Sequence, residues 1–148
     1  MIEVVETPID EAAILAAIKS DAAGACVLFS GTTRQFTAGR ETSTLRYQAY
    51  GEMAVKKLEW LKAEATREYS LQECCIVHRL GEVPIGESSV VVGVSSAHRK
   101  DAFRAAEWIM DTLKREVPIW KQEVWADGTE EWIHPDKKNV PSTSNEVS

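Results

Sequence analysis

The sequence of 148 residues is 44% apolar and 27% charged, the make-up of one ordinary folded domain, which excludes a collagenous or wholly disordered chain. Its 17 Lys plus Arg against 23 Asp plus Glu leave a formal charge of −6, which argues against a dedicated nucleic-acid or anionic-membrane binder. Any anion the chain binds must be met by local positive charge. No apolar run is long enough to span a bilayer, and the N-terminus lacks a secretory signal's basic start, apolar middle and small-residue cleavage site, so a cytoplasmic location is expected. Cys26, Cys74 and Cys75 fit no CxxC or Cys/His spacing and are expected as buried, reduced thiols.

Thr7, Pro8 and Asp10 offer an N-cap, a first-turn proline and an acidic side chain near the positive helix end, predicting a helix over Ala12 to Lys19 that closes before Gly24. The apolar run Ala25 to Phe29 reads as a central strand covered on both faces. Gly31 to Glu41 has no apolar period and reads as a surface loop of the kind that holds ligands. Alternation from Thr44 to Tyr50 predicts a half-buried strand with Leu45, Tyr47 and Ala49 inward. A second helix is predicted from about Glu52 to Tyr69, with Met53, Leu58, Leu61 and Ala65 on its apolar side.

Cys74 to Arg79 and Ser89 to Val94 read as antiparallel strands joined by a turn region, Gly81 to Gly86, that contains Pro84. Ser95 and Ser96 are placed to cap a third helix that turns Ala102, Phe103, Ala106, Ile109 and Leu113 inward. Pro118 stops it at Arg115 to Val117. Trp120 to Trp125 and Glu131 to Ile133 form a predicted hairpin around Asp127 and Gly128. Beyond Pro135 the tail is polar and is expected to be disordered, so the domain is assigned to residues 1–135 and the tail to 136–148. Helices mixed with hairpins favour an α+β domain, and no GxGxxG or Walker loop is present.

Two constellations carry chemistry. Ser95, Ser96, Ala97, His98, Arg99 and Lys100 stand where a strand hands over to a helix, so free backbone N–H groups, the helix dipole and two cationic side chains point to an anion site, phosphate above all. Two capping serines with solvated basic neighbours would give the same string. In the second, Pro118 breaks the helix between Lys114 and Lys121, which lets both ammonium groups point into one corner, where each disfavours protonation of the other. A lysine in a last helical turn also simply complements the dipole, and a lysine on an alternating strand often faces water. From Arg99 to Lys121 six basic residues face four acidic ones, a local positive excess in an acidic chain. His78, His98 and His134 lack zinc-helix spacing, so no metal site is expected, and His78 is read as a packed histidine without a role. The residues alone leave three readings open: an enzyme with an anion site beside two lysines, a non-catalytic module that binds a phosphorylated ligand or a protein tail, and, with less support, a thiol-based carrier using one of the cysteines.

The ordered strings SGTTR, LRYQAYGEMA, HRLGEVPIGE, VGVSSAHRKDAF, DTLKREVPIWKQE and DGTEEWI, covering about Cys26 to Ile133, resemble the large, catalytic subunit of molybdopterin synthase. The resemblance implies an α/β hammerhead-like domain with an additional antiparallel β subdomain. It implies a sulfurtransferase that needs no metal and no cofactor. Its substrate would be cyclic pyranopterin monophosphate, which gains two sulfurs to become the dithiolene of molybdopterin. The sulfur donor would be a small ubiquitin-like subunit whose C-terminal Gly-Gly ends in a thiocarboxylate. The implied assembly is a dimer of large subunits within a heterotetramer. Matched residue by residue, Lys114 and Lys121 correspond to the catalytic lysines, with Lys114 meeting the thiocarboxylate or activating the pterin and Lys121 stabilising negative charge nearby. Thr32, Thr33 and Arg34 match the substrate-holding loop, His98 and Arg99 the phosphate-side contacts, and Gln122 and Glu123 the binding segment after Lys121. Because such pockets draw on both large subunits, Arg34 or His98 would then serve the neighbouring copy. Thr37 and Gln48 depart from the asparagine and glutamate common in that family.

Overall fold

A computed structural model describes residues 1–133, so His134 and the expected tail lie outside the described residues. The elements in chain order are β1 (Ile2–Val5), α1 (Glu11–Ala17), β2 (Ala25–Thr32), β3 (Phe36–Thr37), β4 (Arg40–Ala49), α2 (Gly51–Tyr69), β5 (Glu73–Arg79), β6 (Gly81–Pro84), β7 (Ser88–Ser96), α3 (Arg99–Glu116), β8 (Ile119–Trp125) and β9 (Glu130–Ile133). They build two sheets, as the α+β reading requires. The first has the order β1-β5-β7-β2, with β1 parallel to β5 and the other pairs antiparallel. The second is antiparallel throughout, in the order β3-β4-β8-β9 with β6 also paired to β4.

Alternation along β5 and β7 distributes the core. Cys74, Ile76, Val90, Val92 and Val94 meet α2 and α3, while Cys75, Val77 and Val91 meet Ile14 and Ile18 from the α1 side. The first sheet is therefore covered on both faces. Gly93 of β7 makes close packing on the α1 side possible: a Cβ there would stand 2.9 Å from Ile14 Cγ2 and 3.1 Å from Ile18 Cγ2.

Several expectations need correction. β2 lies at the edge of its sheet, not in the centre, and Phe29 is 40% exposed. Its unbroken apolar run reports helices on both faces, with Val27 in one cluster and Leu28 in the other, and is silent about neighbours along the sheet. The N-cap of α1 is Asp10, which accepts from Ala13 N–H at 3.0 Å, rather than Thr7 with Pro8 in the first turn. Ser95 and Ser96 belong to β7, and His98 occupies the cap position of α3. The Gly81–Gly86 turn contains the short strand β6, and the Gly31–Glu41 loop contains β3. Met53 and Phe103 are 60% and 61% exposed. Each sits one residue, about 100° of rotation, outside the buried stripe that begins at Ala54 in α2 and at Ala102 in α3. Cys26 is exposed, whereas Cys74 and Cys75 are buried.

Candidate functional site

α3 ends where the sequence predicts, because Val117 turns extended (φ −82°, ψ 129°) ahead of Pro118 and the chain re-enters as β8. The last turn carries Lys114. On β8 the two-residue period puts Ile119, Lys121, Glu123 and Trp125 on one face. Across the antiparallel ladder Lys121 faces Tyr47 and Glu123 faces Leu45. This face, the end of α3 and the loop after β2 enclose a cleft of about 510 Å³. Lys114, Lys121, Arg34, Thr32, Thr37 and Glu123 line it together with Tyr47, His78, Ser89 and Trp125.

The cleft is electropositive, with three cationic side chains against one carboxylate, Glu123, which is only 3% exposed. Among the described residues no carboxylate lies within ion-pair distance of Lys114, Lys121 or Arg34. Fixed cations left free of internal partners in a concave site are suited to an anionic ligand. The other wall is uncharged. Burial pushes the Tyr47 phenol above its ordinary 10, reinforced by the charge of Glu123 and opposed by hydrogen bonding to Ser89. Burial likewise pushes His78 down to about 4, outweighing the opposite pull of the Arg79 carbonyl. Trp125 lies under the Arg40 guanidinium at 4.1 Å, with its buried Nε1 unpartnered among the described residues.

The remaining sequence candidates lie elsewhere. Thr33 is buried beneath the loop, where its hydroxyl donates to the Val83 carbonyl at 3.0 Å. Gln122 points to the other face of β8 and donates to Glu130 at 3.2 Å. His98 and Arg99 stand exposed at the start of α3, with no side-chain cap hydrogen bond from His98. At about 1.5 Å per residue the helix separates Arg99 from Lys114 by about 22 Å, so the two ends cannot share one cleft within a chain. No cysteine lines the cleft, and burial, with Cys75 adding to it, pushes the Cys74 thiol up to about 12. Among the described residues no three His, Cys, Asp or Glu side chains come together as a metal-ligand set. The sequence reading missed His78, Ser89 and Trp125 as cleft residues; Tyr47 was legible only as an inward-facing strand position.

A family model described as MoaE protein matches residues 4–116. The chain is 43% identical over 131 residues to the molybdopterin synthase catalytic subunit of Bacillus subtilis, covering 88% of this chain and 83% of that one. It is 41% identical over 127 residues to the same subunit of Pyrococcus abyssi, covering 86% and 84%. Among solved structures, the crystal structure of molybdopterin synthase from Staphylococcus aureus superposes with a TM-score of 0.84 at 39% identity, covering 88% of this chain and 95% of that one. On the strength of these matches over most of both lengths, the chain belongs to the MoaE family, the family of the molybdopterin synthase catalytic subunits.

Proposed function

We propose that the chain transfers sulfur from the C-terminal thiocarboxylate of a small ubiquitin-like partner to cyclic pyranopterin monophosphate, making the molybdopterin dithiolene. The observation that carries this reading is the convergence of Lys114, Lys121 and Arg34 on one concave site without internal ion partners among the described residues. Both ligands are anionic, and preorganised ammonium and guanidinium groups stabilise them and the charge that moves as each sulfur leaves its acyl carbon. Lys114 and Lys121 take the catalytic roles. Arg34 and Thr32 hold substrate, and Thr33 anchors their loop to Val83. Glu123 shares the cleft with the lysines, and Gln122 braces β8 against β9.

His98 and Arg99 contact the phosphate in the cleft of a second copy, since α3 holds them away from their own. The partner's Gly-Gly tail reaches the lysines through the open side of the cleft. The working unit is then a dimer of this chain with a small subunit at each end, formed from a domain of residues 1–135. No helix among the described residues is long and apolar enough to cross a membrane, and we place the reaction in the cytoplasm. The test is reconstitution. Purified chain, thiocarboxylated partner and cyclic pterin should give the dithiolene product, and Lys114→Ala should abolish it with an unchanged circular dichroism spectrum. Wild-type turnover by Lys114→Ala would remove that lysine from the mechanism.

A further inference from the structure

His78 lines the cleft, and neither charge neutralisation nor phosphate binding gives it a use. It lies on β5, between Val4 of β1 and Val90 of β7, where the first sheet meets the second. Its ring meets Tyr47 of β4 edge-on, with centroids 5.1 Å apart and planes at 68°. Tyr47 is also the ladder partner of Lys121, and all three residues line the cleft. The tautomer follows from its partner. Nδ1 is 2.9 Å from the Arg79 carbonyl oxygen, which can only accept, so Nδ1 carries the hydrogen and Nε2 of the neutral ring keeps its lone pair. Nε2 makes no hydrogen bond to the described residues, although the ring forms part of the cleft wall.

The lysines and Arg34 are donors only. They suit phosphate and thiocarboxylate oxygens and cannot receive the N–H groups that a reduced pterin carries on its ring and exocyclic amine. Ser89 gives its one proton to the Gly31 carbonyl at 3.2 Å, and the cleft's carboxylate, Glu123, stands two residues from Lys121 on the same face of β8, on the lysines' side. A neutral acceptor on the wall away from the lysines supplies what the cations lack. We propose that His78 is a specificity-determining residue: its Nε2 accepts a hydrogen bond from a pterin N–H and so sets the ring's orientation toward Lys114 and Lys121. This rests on the substrate assigned under the proposed function.

The full chain, labelled with 15N at histidine, is titrated with cyclic pyranopterin monophosphate and separately with inorganic phosphate. The Nε2 resonance of His78 should move with the pterin and stay in place with phosphate. His78→Phe keeps an aromatic ring against Tyr47 and removes the acceptor. It should weaken pterin binding about tenfold with phosphate binding unchanged, and His78→Gln, which returns an acceptor, should recover part of the loss. An unmoved resonance, pterin binding by His78→Phe equal to wild type, or equal loss of pterin and phosphate would each overturn the assignment. Failure of the wild type to bind the pterin would overturn the proposed function and this inference together. Wild-type binding and turnover that His78→Phe leaves intact would overturn this inference alone.

Discussion

Lys121 stands directly opposite Tyr47 across the β4–β8 ladder, and both side chains line the same cleft. The lysine is thus held on a strand and fixed in register by its neighbours. With no carboxylate in ion-pair range among the described residues, its charge contributes little to holding the fold together. Lys121→Ala should therefore lower turnover by about 10²- to 10³-fold while moving the melting temperature little. Single-turnover kinetics alongside thermal melts would check both halves, and a large fall in melting temperature would make the lysine structural.

A mixing experiment tests the reading in which α3 serves a neighbouring copy. Arg99→Ala and Lys114→Ala should each be inactive alone. Mixed after subunit exchange, they should recover roughly a quarter of wild-type activity, because half of the dimers are mixed and each mixed dimer has one intact site. No recovery would confine each site to a single chain.

His78 links stability to pH. Burial holds its native pKa down at about 4, below the ordinary 6.5, so between these values the unfolded chain binds the extra proton. Stability is full above about pH 6.5 and declines as the pH falls toward 4, by up to about 3 kcal/mol from this group. Urea melts of the wild type and His78→Gln at several pH values should show a smaller decline in the variant. Parallel curves would show that His78 does not titrate in that window.

Gly93 and Asp10 secure the α1 side of the first sheet. Gly93→Val forces a side chain against Ile14 and Ile18 and should cost about 1–3 kcal/mol, read as a lower urea midpoint at unchanged slope. Asp10→Ala removes the cap of a helix only 7 residues long and should cost about 1 kcal/mol. The two effects should exceed any change in catalysis, since neither residue lines the cleft.

Much of this architecture was legible because it is written in short-range chemistry. The stripe of Leu58, Leu61 and Ala65 defines α2, the break at Pro118 ends α3, and Asp127 with Gly128 turns the β8–β9 hairpin. β6 was read as a turn because Gly81 and Gly86 do bend the chain, with φ of 79° and 83°, while the strand between them pairs only through its distant partner β4. Serine supports both a strand end and a helix cap, so Ser95 and Ser96 gave no way to choose. The Lys114–Lys121 corner followed from the proline. The place of His78 in the cleft depends on how two sheets meet, for which a single sequence carries no local signal.

α3 is 18 residues long, a stiff rod of about 27 Å. On the reading proposed above it acts as a spacer that no arginine side chain can bridge, so a solitary copy would carry two halves of a site about 22 Å apart. On the reading proposed above, competence then depends on concentration as well as on folding. Dilution would silence the molecule while every strand and helix stayed in place.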